Sequence, residues 1–431
     1  MLAGSLSRPR QLPLLATTSC LALIVACLCA LLTATNALPT RVPLAVPDGD
    51  MIIDFDPSQP VDDALVQRVV AILMRNGMPE AKNRIHRLEI GDSDEQQVQA
   101  LAVPDMGDSV RAQLRAELEG RIRAIEGQVT WGSAQEPPVP VPSPPPPASP
   151  VPAGIDRIDS RTGLDQQFRY FPTSKLGAAT DIYVIDSGCD DKHPDLAGRV
   201  VFKQDLTGEG DEDQNGHGTH TAATAAGKLH GIARNANIIC LKVLDRNSKT
   251  TQITVLRALD VVSEQIKKRR APAVVNMSLY ANPPPSSSSS YYATFADRFR
   301  SLYQGWPKGQ WSVESTTERA IDALVAEGVS VVMSAGNNNG KDACDYSPGF
   351  VKSALTVGAT NPRNDSVAPF SNVGSPGVQI ESARANTTAT RPLSGTSMSA
   401  PHVAGVLSVL LGEGLTRVAA ERVCWTWLCA T

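Results

Sequence analysis

Residues 394–405, which read SGTSMSAPHVAG, place a serine where its hydroxyl could act as a nucleophile. Ser397 follows a turn of small residues and precedes an apolar stretch that predicts a helix. Backbone N–H groups in the first turn of a helix lack intrahelical partners, so they can stabilise an oxyanion that forms beside the serine. Because a serine hydroxyl reacts only when a base removes its proton, the chain must also supply a histidine, an orienting carboxylate and a second oxyanion donor.

A candidate carboxylate and a candidate base lie upstream of this serine. Asp186 directly follows the apolar segment 182–185, which predicts a buried strand, and His217 stands between Gly216 and Gly218 at the start of a predicted helix. An imidazole between two glycines is sterically open, as a proton shuttle requires. An aspartate at a strand end is more often a simple turn former, so Asp186 alone is weak evidence for catalysis.

Asn337 follows another apolar segment, residues 329–334, and its amide could donate to an oxyanion without carrying a charge. By itself this position is typical of a turn asparagine. A metal site is the alternative for His217, because His220 lies three residues away and could share its helix face. Zinc requires three or four ligands, and the sequence offers no third ligand nearby, so no metal ligand is predicted.

These residues need a scaffold, and the pattern downstream of residue 154 predicts an α/β fold. Short apolar strands alternate with helices, which is typical of a mainly parallel sheet between two layers of helices. In such sheets, polar residues at the carboxyl ends of the strands meet at one edge. The predicted strands are 182–185, 238–244, 274–277 and 329–334, and the predicted helices are 219–226, 254–267 and 315–327, the last with the capping-box pair Ser315 and Glu318.

Three further segments precede this domain. Residues 1–37 combine two arginines with a short apolar run and predict a cleaved signal peptide, with an uncleaved anchor as the alternative. Residues 45–136 predict a small α+β domain, with a strand at 51–55 and helices at 61–74 and 109–125. The ten prolines between Pro137 and Pro152 make residues 137–153 a linker. The remainder, residues 154–431, is the predicted main domain.

Composition narrows the function classes and the compartment. The 431 residues carry 40 basic and 44 acidic side chains. The sequence has no block of basic residues, so nucleic acid is not expected as a partner. Cleavage of the signal would leave five cysteines, an odd number that implies at least one free thiol or an intermolecular bridge in a secreted chain. Cys189 and Cys240 lie in or beside apolar segments, where we expect buried, inert thiols.

The order Asp186, His217, Asn337, Ser397 resembles that of the subtilisin-like serine proteases, closest to the proteinase K group. The resemblance extends over about residues 154–412 and includes the segments around all four residues. It implies a subtilisin-like fold and a secreted serine endopeptidase, extracellular or in a secretory or vacuolar lumen, with no membrane association after signal cleavage. It also implies that residues 45–136 form an inhibitory pro-segment, so that the expected partners are protein or peptide substrates and the chain's own pro-segment.

By the same resemblance, Ser397 is the nucleophile, His217 the general base and Asp186 its orienting partner. Asn337 and the backbone N–H of Ser397 would form the oxyanion hole. The substrate would bind as an added β-strand, with its backbone paired to Ser278 and Leu279. This chemistry requires no cofactor, and the sequence does not support a structural calcium site.

The chain departs from the family pattern in two places beside the expected cleft. Tyr280 and Ala281 stand where two glycines usually line the specificity pocket, and a polar insert follows to about residue 311. Between Ser375 and Pro376, about six residues are missing, including an aspartate that can bind calcium. These departures keep a second hypothesis open, a catalytically silent, truncated or decayed relative that binds peptides.

Overall fold

The computed structural model describes the chain in eleven segments: residues 50–92, 97–128, 130–133, 151–159, 163–169, 174–281, 315–340, 343, 347–349, 351–372 and 377–428. The predicted signal peptide, most of the proline-rich linker, the insert after Ala281 and the Ser375–Pro376 junction lie outside them. None of the helices in the described segments combines the length and the apolar character needed to cross a membrane.

The N-terminal region is an antiparallel sheet with helices packed on one face. Its strands alternate their side chains between two cores, since Ile53 and Phe55 face the local helices whereas Ile52 faces the downstream domain. The strands are β1 (Met51–Phe55), β2 (His86–Ile90), β3 (Val98–Val103) and β4 (Ile122–Gly127), in the order β2-β3-β1-β4, and the helices are α1 (Asp63–Arg75), α2 (Ala81–Arg84) and α3 (Asp108–Glu117).

The helix predicted at 109–125 was wrong in its C-terminal part. Helix α3 ends at Glu117, and Gly120 then adopts a φ of +75°, which glycine tolerates at no steric cost. The chain reverses there into β4, whose Ile125 pairs with Ile53 of β1 and is buried. A short apolar pattern fits helix or strand equally well, and the sheet partner decided between them.

The downstream domain is built on a six-stranded, wholly parallel sheet, as the alternating pattern predicts. The strand order is β13-β12-β10-β6-β8-β7, so the strand that ends at Asp186 and the strand that ends just before Ser278 are the two central ones. Its strands are β6 (Asp181–Asp186), β7 (Val200–Asp205), β8 (Asn237–Lys242), β10 (Ala273–Met277), β12 (Ser330–Ser334) and β13 (Leu355–Val357).

Helices cover both faces of this sheet, which confirms the three-layer α/β architecture. On one face Tyr183 and Val275 pack against α6 and α7; on the other, Val184 packs against α5 and Val274 against α8. The capping box predicted for Ser315 and Glu318 is present. The helices are α4 (Ala153–Ile158), α5 (His217–Ala226), α6 (Gln252–Arg269), α7 (Thr316–Ala326), α8 (Thr396–Gly412) and α9 (Arg417–Leu428).

Two small sheets also occur in the part of the chain that the structure describes. One is a hairpin of β14 (Ile380–Ala383) and β15 (Thr390–Leu393). The other has the order β11-β5-β9, and its central strand β5 (Thr130–Ser133) comes from the end of the N-terminal region. It pairs antiparallel with β9 (Lys249–Thr251) and β11 (Leu279–Ala281) of the downstream domain.

Cys189 and Cys240 form a disulfide with a Cα–Cα distance of 6.1 Å, so the expectation of two inert thiols was wrong. Their sequence separation of 51 gave no indication of this contact. Cys189 follows the end of β6, and Cys240 lies in the adjacent parallel strand β8. Parallel pairing therefore brings the two side chains together, and the bridge fixes the loop that leaves β6.

Close packing of α8 on α5 gives a stability prediction. A Cβ added at Gly405 would lie 2.7 Å from the carbonyl oxygen of Ala225, so the helices would have to separate. Gly405→Ala should therefore cost about 1–3 kcal/mol, typical of overpacking, and lower the apparent melting temperature measured by circular dichroism. The matched control is Gly412→Ala in the same helix, where the nearest atom lies at 3.1 Å. Equal melting temperatures for the two variants would contradict this account of the interface.

Candidate active site

The imidazole of His217 and the carboxylate of Asp186 meet at the carboxyl end of the central strand. Strand β6 ends at Asp186 and helix α5 begins at His217. The Nδ1 atom of His217 lies 2.7 and 2.9 Å from the two carboxylate oxygens, and both side chains are fully buried. A carboxylate only accepts hydrogen bonds, so this contact places the proton on Nδ1 and leaves Nε2 as the basic atom.

Further donors hold the Asp186 carboxylate in this orientation. The backbone N–H of Ser187 donates to it at 2.7 Å and the hydroxyl of Thr221 at 3.3 Å. Thr221 lies one turn along helix α5 from His217, so the helix that carries the imidazole also contacts its partner. The pair is consequently fixed from both elements.

Glycine at position 218 allows the helix to approach the strand this closely. A Cβ there would lie 2.1 Å from the carbonyl oxygen of Gly188 and 3.1 Å from Cβ of Asp186. No other residue fits without moving α5 away from the end of β6. Gly218 thus acts through close backbone approach, whereas Gly216 adopts a φ of +88°, in the left-handed region that favours glycine.

Ser397 lies in the first turn of helix α8 and is fully buried. Its hydroxyl donates to the carbonyl oxygen of Ser278 at 3.0 Å, and the hydroxyl of Ser278 donates back to the carbonyl of Ser397 at 2.9 Å. These bonds join the end of β10 to the start of α8. Nε2 of His217 is buried and has no hydrogen-bond partner within the described segments.

Asn337 follows β12 and is oriented by the residue before Ser397. Its side-chain oxygen accepts from the backbone N–H of Thr396 at 3.0 Å and from the Thr396 hydroxyl at 2.9 Å. These two donors determine which end of the planar amide faces helix α8. The amide nitrogen, on the other branch of the group, is the atom that could donate to an oxyanion.

The metal alternative for His217 and His220 has no geometric support. Nε2 of His220 lies 3.0 Å from the carbonyl oxygen of Ile380, whereas His217 faces Asp186. Burial lowers the pKa of His220 to about 3, so its ring is neutral and serves to join α5 to β14. No cluster of three or more His, Cys, Asp or Glu side chains that could hold a metal occurs in the described residues.

The segment predicted to bind substrate backbone is already paired with another strand. Leu279 of β11 lies opposite Ser133 of β5, and Ala281 lies opposite Trp131. Trp131 is 1% exposed and packs in the same cluster as Leu279 and Ala281. Ser278 directly precedes β11, and its hydroxyl donates to the carbonyl oxygen of Ser397.

Sequence reasoning assigned no role to Thr396 and Asp213, whose hydrogen bonds lie at the site. Thr396 holds the amide of Asn337, and Asp213 accepts hydrogen bonds from several residues around His217. The available signal was Asp213 four residues before His217, where an acidic side chain can bond to the first N–H groups of a helix.

A model of the subtilase family matches residues 177–421, which contain all four candidate residues. Curated relatives include subtilisin-like protease 2 of Pseudogymnoascus destructans, 34% identical over 61% of this chain and 58% of that protein. The extracellular serine proteinase of a Thermus species is 37% identical over 61% of this chain and 57% of that protein. Proteinase T of Parengyodontium album is 34% identical over 61% of this chain and 81% of that protein.

The chain thus spans about three fifths of the first two relatives. A solved structure, that of a cold-adapted subtilisin-like serine proteinase, matches with a TM-score of 0.50 and 33% identity, over 64% of this chain and 90% of that one. This match agrees with the parallel sheet and its helical layers. Because the family model covers more than half of its residues, the chain belongs to the subtilase family.

Proposed function

We propose that the chain is a secreted serine endopeptidase that hydrolyses peptide bonds through Asp186, His217 and Ser397 and is made as a zymogen. One observation carries the proposal: Nδ1 of His217 bonds to Asp186 at 2.7 Å in a fully buried site, which leaves Nε2 as the base. The site lies at the carboxyl ends of parallel strands, where α/β proteins carry their chemistry. Membership of the subtilase family supports the same activity.

In the proposed reaction, Ser397 attacks the scissile carbonyl carbon while Nε2 of His217 takes the hydroxyl proton. That requires the hydroxyl to leave the carbonyl of Ser278 and turn to His217. Asp186 stabilises the imidazolium that forms, and the amide of Asn337 with the N–H of Ser397 stabilises the oxyanion. His217 then gives its proton to the leaving amine, and water releases the acyl group.

The zymogen proposal is supported by strand β5, which pairs with β11 in the manner expected of a peptide substrate. Residues 45–136 would act as the inhibitory pro-segment, residues 137–153 as the linker and residues 154–431 as the peptidase domain. A strand bonded on both edges, to β11 and to β9, excludes any other peptide from this groove. Inhibition would therefore last while β5 stays in place.

Polar side chains at the interface add hydrogen bonds and an ion pair to this attachment. The carboxylate of Glu126 accepts from the N–H of Thr316 at 3.0 Å and its hydroxyl at 2.9 Å, at the start of α7. The side chain of Gln252, at the start of α6, donates to it at 3.2 Å. Nearby, Arg319 of α7 forms a buried ion pair with Asp54 of β1.

Ser397→Ala tests the enzyme proposal against a silent peptide-binding protein. The variant should accumulate with residues 45–136 attached, because the nucleophile that would separate them is gone. The wild-type chain should lose the segment and then react covalently with a serine-directed fluorophosphonate, measured by mass spectrometry. A folded wild-type mature form that never reacts would favour the silent relative, and normal processing of Ser397→Ala would assign processing to another protease.

Trp131→Ala should weaken inhibition by the pro-segment. It removes a large buried side chain from the groove, a change that costs about 3–5 kcal/mol in a well-packed core. A loss of about 3 kcal/mol corresponds to a factor of at least about 100 in an equilibrium constant. The inhibition constant of residues 45–136, measured on peptide hydrolysis, should rise by that factor. Met74→Ala is the control, since that side chain is 45% exposed. Similar constants for the two variants would show that Trp131 does not anchor the strand.

Attachment of the pro-segment should depend on pH through Glu126. Burial raises the pKa of its carboxyl to about 7 from an ordinary 4.5, with Asp54 and Glu318 adding to the rise. The bound form therefore takes up a proton, and affinity falls as pH rises from about 4.5 to about 7. Calorimetry should show a fall on the order of 10- to 100-fold over this range.

Glu126→Gln removes the titrating group and should flatten this pH profile. Glu119→Gln, at an exposed position in the same domain, should keep the wild-type profile. Binding is measured on Ser397→Ala peptidase, so that the pH dependence of catalysis does not enter. An unchanged slope in Glu126→Gln would assign the proton uptake to other groups.

A further inference from the structure

The carboxylate of Asp213 joins the two elements that hold the His217–Asp186 pair. It is 1% exposed and lies in the loop before helix α5. One oxygen accepts from the Ser187 hydroxyl at 2.8 Å and from the N–H groups of Asn215 at 3.1 Å and Gly216 at 2.6 Å. The other accepts from Thr219, at 2.8 Å from its N–H and 2.6 Å from its hydroxyl.

These donors come from both sides of the candidate site. Ser187 directly follows Asp186, and its hydroxyl also accepts from the N–H of Gly218 at 2.9 Å. Gly216 and Thr219 flank His217 within the first turn of α5. Asp213 therefore binds the residue after the carboxylate and the turn that carries the imidazole, without contacting either ring or carboxylate itself.

We propose that Asp213 is a positioning residue for His217, acting through the first turn of α5 and the Ser187 hydroxyl. The inference rests on the proposed endopeptidase function, for which the distance from His217 to its partners decides the rate. A side chain that offers two acceptor oxygens suits this position, because five donors converge on it. Displacement of a catalytic group by about 1 Å can lower a rate on the order of 100-fold.

Asp213→Asn keeps the size of the side chain but replaces one carboxylate oxygen with an NH₂ group. That NH₂ group then faces the N–H and O–H donors that bonded to the replaced oxygen. The hydroxyls of Ser187 and Thr219 can turn and accept from it, whereas the N–H groups of Gly216 and Thr219 cannot. One end of the turn must then shift or leave a buried donor unsatisfied. His217 lies between these two N–H groups and moves with them.

Asp205 provides a matched control within the same domain. It is also buried, and it accepts from Thr207 N–H at 2.8 Å, the Thr207 hydroxyl at 2.7 Å, Gly208 N–H at 3.0 Å and Gly210 N–H at 2.8 Å. All of these donors belong to its own loop. Asp205→Asn should thus lose comparable hydrogen bonds and stability while leaving His217 in place.

The first measurement is the first-order rate at which the refolded full chain separates its own pro-segment, which has no KM component. Asp213→Asn should slow it on the order of 10- to 100-fold, and Asp205→Asn should stay within about twofold of wild type. Ser187→Ala, which removes one link of the network, should give a smaller loss and serves if Asp213→Asn fails to fold. Equal slowing in the two asparagine variants would mean general destabilisation and would overturn the proposal.

The second measurement does not depend on activity. In full-length Ser397→Ala protein, the downfield proton signal of His217 Nδ1–H, assigned by its loss in His217→Ala, reports the bond to Asp186. Asp213→Asn should shift or broaden this signal, and Asp205→Asn should not. An unshifted signal in Asp213→Asn overturns the positioning role. If the wild-type chain never cleaves itself, the endopeptidase proposal fails, and the proton signal alone decides whether Asp213 positions His217.

Discussion

His217 and Asp186 form a hydrogen-bonded polar pair that is fully buried at the end of a parallel sheet. Much of the surrounding fold supplies partners that offset the free-energy cost of burying this pair. Two fully buried polar side chains are costly unless each finds partners. Asp186 finds them in His217, Ser187 and Thr221. Gly218 then allows the helix to lie close enough to the strand for these bonds to form.

The same constraint explains why the loop between β7 and α5 carries so many side-chain hydrogen bonds. A loop cannot satisfy its own backbone groups as a strand or helix does, and here two buried carboxylates accept from several of its N–H groups. Asp213 supplies five acceptor contacts and Asp205 four in this stretch. The first set reaches the residues around His217 and the second does not, although both aspartates look alike in sequence.

Backbone hydrogen bonds at strand edges join the N-terminal region to the downstream domain. Strands β9 and β11 each present an edge, and β5 fills the space between them with antiparallel bonds to both. Edge strands accept an extended chain that reaches them, which is how a strand from the N-terminal region becomes the centre of a sheet in the downstream domain. Trp131 adds apolar burial to those backbone bonds.

The hydrophobic periodicity of the sequence and its capping and turn residues were enough to predict the parallel sheet, the capping box at Ser315 and the order of the candidate residues. These are local or repeated signals: a buried strand is apolar along its length, and a cap depends on residues three apart. The strand at 122–127 and the Cys189–Cys240 bridge were not predictable this way. Each depends on a partner strand that is distant in the chain.

By itself, then, the sequence determined which residues stand at strand ends and helix starts, and hence the chemical types available at the site. Tertiary structure decided how they connect: Ser397 with Ser278, Asn337 with Thr396, and β5 between β9 and β11. The reason is physical. Residue type and local conformation are encoded over a few positions, whereas hydrogen-bond partners across the sheet are chosen only when packing fixes the distance and orientation of whole elements.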